Sequence, residues 1–286
     1  LLATDLSCGL VPVLAPPAVT PVLPAPAPGD PPAPPPAPVP APAPVLSAAQ
    51  VGDLEPGLKR EGLRGGALYY DGQVSFPERL CVENLLSARE RGARTANYAA
   101  ACRLLRHGGR VAGAEVEDRL TGETHAVRAR LVINAAGPWA DEVAQLAMPN
   151  APRVLRRTKG VHVVVPSFTR HAVVLLAKRD GRVFFAVPWE GQTLVGTTDT
   201  DYEERPDDVT ADPEDVRYLV EETRRVFPGV GAGHPLYSMA GVRALVRSRR
   251  ASESAVSRRH RIVSHTGQSA DGLLSVFGGK ITSYRA

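Results

Sequence analysis

The chain has 286 residues and carries 34 basic and 30 acidic side chains, a formal net charge of +4 that is too small to argue for nucleic acid without a patch. Sixteen of its 27 prolines precede residue 46, where Asp5 and Asp30 are the only charges, so roughly 230 residues are left to build a core. Three cysteines without paired spacing, Cys8, Cys81 and Cys102, exclude a disulfide framework and a zinc site, and fit a reducing compartment.

Residues 1–50 read as an extended, disordered Pro/Ala-rich segment that has too few backbone donors and too little apolar surface to fold. No apolar run approaches the roughly 20 residues that span a bilayer, so the folded part is expected in the cytoplasm. Order is expected from near Val51. Ala67 to Tyr70 reads as a short strand, and Ser75 as the cap of a helix reaching to about Arg91. Its capping box would close on Glu78, Leu80, Val82, Leu85, Leu86 and Ala88 would be buried, and Gly92 would end it.

From Arg94 the period becomes strand-like. Thr95 to Tyr98, a segment to Arg106, Arg110 to Arg119 and His125 to Arg130 form an antiparallel meander turning at Gly108-Gly109 and Gly122. Leu131 to Ala136 is continuously apolar, as in a strand buried on both faces, and it runs through Gly137-Pro138-Trp139 into a helix over 140–147. Val161 to Val165, Ala172 to Ala177, Arg182 to Val187 and Thr193 to Gly196 predict four strands of a mostly antiparallel sheet. A helix follows from Asp212 to about Phe227, and then strands at Ser238 to Val246 and Arg261 to Val263. Gly229-Val-Gly-Ala-Gly-His234 lacks the third glycine of a dinucleotide fingerprint and follows a helix end, so it reads as a loop. The seven histidines show no metal pair and no nucleophile elbow accompanies them, so no metal is expected.

The stretch on which the chain converges is its last. Leu273 to Phe277 is a strand-length apolar run, Gly278-Gly279 frees the backbone to turn, and Thr282-Ser283 can cap a helix start, with Lys280 adding positive charge. The fold class is therefore α/β in the α+β sense. An incomplete Rossmann-like dinucleotide domain with a β-meander (51–150) is interrupted by a mostly antiparallel sheet with one helix (151–237) and resumed over 238–286.

Six segments occur in order: Asn134-Ala-Ala-Gly-Pro-Trp139, Lys159-Gly-Val-His162, Val187-Pro-Trp189, Gly196-Thr-Thr-Asp199, Gly241-Val-Arg-Ala-Leu245 and Ser275-Val-Phe-Gly-Gly-Lys-Ile-Thr282. Together they resemble the FAD-dependent glycerol-3-phosphate dehydrogenases, over roughly Gly65 to Ala286. The resemblance implies FAD as cofactor. Ala135, Gly137 and Trp139 would lie near its phosphates, and Gly278, Gly279, Lys280, Ile281 and Thr282 would lie against the flavin ring. It implies Arg243 and Lys280 as catalytic residues, with Arg243, Arg258, Lys280 and Thr198 contacting glycerol 3-phosphate. It also implies oxidation to dihydroxyacetone phosphate, with electrons passing to a quinone at a membrane that a full-length form would touch peripherally.

The sequence departs from the family where the glycine fingerprint and the early His, Arg and Tyr of the substrate motif would stand, and the proline-rich segment occupies that place. Ser75-Phe-Pro-Glu-Arg-Leu80 also stands where the family has a pair of acids, and the chain stops where a C-terminal helical domain would begin. Both ends therefore read as truncations, and the chain as given is expected to hold little FAD and to lack activity. The alternatives are another amino-acid-oxidase-like flavoenzyme, or a non-catalytic proline-tailed binding protein on a degenerate flavin scaffold.

Overall fold

The computed structural model describes residues 2–3, 44–230, 235–247 and 260–281. The expected disorder of residues 4–43, the tail of the loop at 231–234, Arg258 and Thr282 lie outside them.

In chain order the elements are β1 (Leu2–Ala3), β2 (Val45–Ser47), α1 (Ala48–Leu54), β3 (Gly65–Ala67), α2 (Pro77–Glu90), β4 (Ala99–His107), β5 (Arg110–Asp118), β6 (Thr124–Arg128), β7 (Val132–Asn134), a 3-10 turn (Gly137–Trp139), α3 (Ala140–Ala147), β8 (Leu155–Pro166), β9 (Val173–Leu176), β10 (Val183–Trp189), β11 (Gln192–Gly196), β12 (Thr200–Asp201), a second 3-10 turn (Pro206–Asp208), α4 (Pro213–Val226), β13 (Tyr237–Val246), β14 (Arg261–Ser264) and β15 (Leu273–Phe277). The chain is a mixture of helices and largely antiparallel sheets, as its sequence pattern requires. It divides into two compact units.

The first unit comprises Leu1–Gly72, Val165–Val195 and Val220–His234. Here β9 and β10 form an antiparallel hairpin, β1 pairs β9 in parallel and β3 antiparallel, and β2 pairs the other side of β3. Order begins ahead of Val51, because Ser47 and Gln50 form a capping box on α1: the Gln50 amide donates to Ser47 Oγ and the Ser47 amide to Gln50 Oε1. Glu55, at the end of α1, is fully buried. Its carboxylate accepts the backbone amides of Arg170 and His171 and meets His171 Nδ1 at 2.7 Å, which satisfies a charge that burial would otherwise penalise. Phe168 and Phe227 pack edge to face, 4.8 Å between ring centroids.

The second unit comprises Gln73–Val164, Gly196–Leu219 and Pro235–Ala286. Three sheets build it: the meander β4–β5–β6, a long antiparallel pairing of β8 with β13 flanked by β12, and a mixed sheet in the order β14–β15–β7. Leu104, Val111, Ala147, Ala270 and Leu273 form one of its cores, and Ala140, Leu155 and Phe277 another. Each large apolar side chain so buried contributes about 1.5–3 kcal/mol.

Three expectations are corrected here. Ser75 does not cap α2. Phe76 takes the flanking position without any side-chain cap, because a residue before proline is held out of the helical region and the helix must start at Pro77. Nor does α2 bury an apolar side: no residue in it is buried, and Val82, Leu85 and Leu86 are exposed. Helical period is a local property, whereas burial needs a neighbour to pack against. Leu131 to Ala136 is likewise not buried on both faces. Among the described residues β7 is the outer strand of its sheet, and Ile133 is 62% exposed while Asn134 turns inward. A smaller difference lies at Thr95 to Tyr98, where the left-handed Tyr98 (φ 55°) interrupts an extended run and the strand starts at Ala99.

Candidate functional site

The site is built where two parallel strands end. β7 and β15 run side by side with Asn134 opposite Ser275, and each gives way at its carboxyl end to a glycine turn, Ala135-Ala136-Gly137 and Gly278-Gly279. In open α/β sheets this edge is where ligands bind. Gly278 (φ 71°) and Gly279 (φ 102°) occupy backbone conformations closed to most side chains. A Cβ on Gly137 would meet nothing within 4 Å, so the first turn is open to close approach. Trp139 is 40% exposed and its indole N–H donates to Asp207. Lys280 and Ile281, just past the second turn, are exposed.

One buried cluster ties these turns to Arg243. Phe277, the residue before Gly278, packs with Ala140 and Leu155, and Ala244, the residue after Arg243, packs against the same group. Arg157 adds a second tie from β8, where it stands opposite Ala244: its Nε donates to the Pro138 carbonyl at 2.8 Å and its Nη2 pairs with Glu142.

Arg243 lies on β13 opposite Thr158, on the face that also carries Gly160 and His162. Its Nη1 donates to the Thr198 carbonyl and to Asp199 Oδ1, both at 3.1 Å, and its Nη2 to Thr197 Oγ1 at 2.7 Å. The guanidinium occupies the space a side chain at Gly160 would need. Thr198 is buried, its hydroxyl accepting the Val161 amide at 2.9 Å, so it fixes the 197–199 loop against β8. The imidazole of His162 fits against Gly196, where a Cβ would fall 2.2 Å from the ring. Burial first, and the Arg243 charge second, hold the His162 pKa below its ordinary value.

On the opposite face of β8, Lys159 is buried and paired with Asp212 and Asp215 at the start of α4. Burial is the largest influence and lowers its pKa, but the hydrogen bonds and charges of the two aspartates outweigh it and the net shift is upward.

The structure thus brings Arg243 and Thr198 into direct contact; Ala135, Gly137 and Trp139 follow the end of β7, and Gly278, Gly279 and Lys280 follow the end of β15, its parallel partner. Two features escaped the sequence reading. His162 was visible only as a histidine after Lys159-Gly160. The buried trio Asn134, Ser275 and His265 gave no local signal, because Asn134 and Ser275 lie on strands 141 residues apart in sequence.

The residues present fit a flavin dinucleotide. Two turns rich in backbone amides, with open space over one and a lysine after the other, suit a flat, polar and partly anionic group at a strand-end edge. Comparison with known proteins agrees. Residues 37–285 match the family described as FAD dependent oxidoreductase. Aerobic glycerol-3-phosphate dehydrogenase of Staphylococcus haemolyticus is 37% identical over 84% of this chain and 43% of its own length. Glycerol-3-phosphate dehydrogenase of Synechocystis is 35% identical over 84% of this chain and 46% of its own length. The solved structure of glycerol-3-phosphate dehydrogenase from Bacillus halodurans, complexed with FAD, superposes with a TM-score of 0.72 at 33% identity, over 84% of this chain and 46% of that one. The chain therefore spans less than half the length of the curated relatives it matches. A family match from residue 37 to 285, on a fold that ends two parallel strands in glycine turns, makes this chain a member of the FAD dependent oxidoreductase family.

Proposed function

We propose that this chain carries the flavin-ring and substrate sides of a dehydrogenase that oxidises sn-glycerol 3-phosphate to dihydroxyacetone phosphate, with electrons passing on to a quinone at a membrane surface. The membrane contact proposed is peripheral; no helix among the described residues is long and apolar enough to cross a membrane. The observation that carries it is the seat of Arg243. Asp199, Thr197 and Thr198 orient the guanidinium before any ligand arrives, so an anionic substrate binds it at little ordering cost. A guanidinium matches phosphate geometry. The names of the relatives supply the choice of glycerol 3-phosphate among phosphorylated alcohols.

When bound, FAD supplies the acceptor for the hydride that leaves C2. The rest falls to the side chains. Arg243 holds the phosphate end and thereby fixes where the C2 hydroxyl lies. His162, on the same face and kept neutral at neutral pH by burial and by Arg243, can accept the hydroxyl proton. Lys280 and the 278–279 amides supply positive potential at the strand-end edge, where charge accumulates as the reaction proceeds. Arg258 and Thr282 are assigned by resemblance alone, to the phosphate and to the flavin edge.

The test is anaerobic. The chain, with FAD in excess, is mixed with glycerol 3-phosphate or with glycerol, and the visible flavin band is followed. The chain alone is expected to hold little FAD and to sustain no turnover, but the flavin it does bind is expected to bleach with glycerol 3-phosphate and not with glycerol; bound flavin that neither compound bleaches contradicts the reading.

A further inference from the structure

Asn134, Ser275 and His265 form a buried row of polar side chains beneath the two glycine turns, each less than 5% exposed. Asn134 Nδ2 donates to the Ala140 carbonyl at 2.8 Å and to Ser275 Oγ at 3.1 Å, while its Oδ1 accepts the Ala136 amide at 3.3 Å. Ser275 Oγ lies 2.9 Å from His265 Nε2, and His265 Nδ1 is buried without a partner among the described residues.

Counting protons decides the direction of this row. Asn134 uses both amide hydrogens, so Ser275 Oγ already accepts one bond. A proton on His265 Nε2 would make Oγ accept a second, leaving the serine proton without an acceptor among the described residues and Nδ1 bare. A serine that donates to Nε2 leaves a single unmet group, the Nδ1–H, and that arrangement costs less. The row therefore runs from Asn134 through Ser275 to His265.

Its position gives it a role. Ser275 and Asn134 face each other across the parallel pair, and each lies three residues ahead of a turn glycine, Gly278 and Gly137 respectively. Asn134 also holds the first turn directly, through the Ala136 amide. We propose that His265 is a positioning residue for both turns: by accepting the Ser275 hydroxyl it fixes the serine rotamer, the serine fixes the Asn134 amide, and the three set the spacing between 135–137 and 278–279. The consequence for flavin rests on the reading of those turns as the flavin edge.

Two measurements on the whole chain test it. Ring nitrogen shifts of His265 should report the Nδ1–H tautomer, and a ring protonated on Nε2 overturns the proposal. Amide hydrogen exchange is then compared among variants. His265→Gln, whose amide reaches the place of Nε2, should leave exchange at 135–137 and 278–279 near that of the unaltered chain. His265→Asn, whose amide reaches only the place of Nδ1, should speed it about tenfold, the effect of one lost hydrogen bond, while the β4–β5 hairpin stays unchanged. Equal exchange in the two variants, or a uniform rise across the unit, overturns the positioning role. Titration with FAD should show the same split, with Asn weaker than Gln. If the unaltered chain quenches no flavin fluorescence, the flavin reading falls, and the exchange comparison still decides whether His265 sets the turns.

Discussion

The guanidinium of Arg243 lies so close to the backbone of Gly160 that a Cβ on Gly160 would come within 2.2 Å of Nη2. The two residues belong to neighbouring strands, two positions out of direct register, and the glycine is what allows the arginine to reach Thr197, Thr198 and Asp199. Gly160 has no left-handed backbone to penalise alanine, and the group in the way is the far end of a flexible side chain. Gly160→Ala should therefore cost less than about 1 kcal/mol in stability while displacing Arg243 and weakening glycerol 3-phosphate binding about tenfold. Denaturant unfolding read beside ligand titration checks the split, and unfolding in step with lost binding would go against it.

His162 sets a pH dependence whose sign can be worked out. Its folded pKa is lowered, by burial first and by Arg243 second, so the unfolded chain takes up the proton more readily than the folded one. Above the ordinary histidine pKa both states are neutral and nothing is lost. As pH falls from there through the folded pKa, stability falls. His162→Gln should flatten the melting temperature over about pH 7 to 5, and Arg243→Ala should lessen the slope by removing one of the two causes. An unchanged slope in His162→Gln would assign the acid sensitivity elsewhere.

Thr198 is predicted to act through Arg243. Thr198→Val keeps the shape but strips the buried Val161 amide of its acceptor, at about 1–3 kcal/mol, and loosens the loop that orients the guanidinium. Thr198→Ser, which keeps the hydroxyl, should restore ligand affinity. Equal affinity in the Val and Ser variants would remove Thr198 from the account.

Around Lys159 the two aspartates should differ. Asp215 and the lysine are both 8% exposed, whereas Asp212 is 61% exposed. Asp215→Ala should cost about 2–3 kcal/mol, somewhat below the value for a fully orphaned buried charge because Asp212 remains, and Asp212→Ala should cost less than about 1 kcal/mol. Chemical denaturation of the two variants gives the comparison, and similar losses would contradict it.

The elements legible in the sequence are those whose signal is local. β15, α3 and α4 fall within a residue or so of the pattern, because an apolar run, a Pro-Trp turn and an Asp-Pro cap each carry their own boundary. The Ser47–Gln50 box carried such a signal too, and was hidden by its Pro/Ala-rich surroundings. What a pattern could not give was partnership. Among the described residues, the apolar positions of α2 have the period of a packed face but none is buried, and Leu131 to Ala136 has the composition of a central strand but lies at an edge. In the site, the glycine turns and Arg243 were legible as motifs. The seat of the arginine on Gly160 joins residues 83 positions apart, and the row from Asn134 to His265 crosses 141 positions between Asn134 and Ser275 and ten between Ser275 and His265.

The central claim is that Arg243 reads the phosphate of glycerol 3-phosphate, and the direct measurement is calorimetric titration of the chain and of Arg243→Ala and Arg243→Lys with glycerol 3-phosphate and with glycerol. Loss of a charge-assisted contact of about 1.5–3 kcal/mol should weaken glycerol 3-phosphate roughly 10- to 150-fold in the alanine variant, with partial recovery in the lysine variant and no change for glycerol. Equal losses for the two compounds, or no loss for glycerol 3-phosphate, would contradict the account.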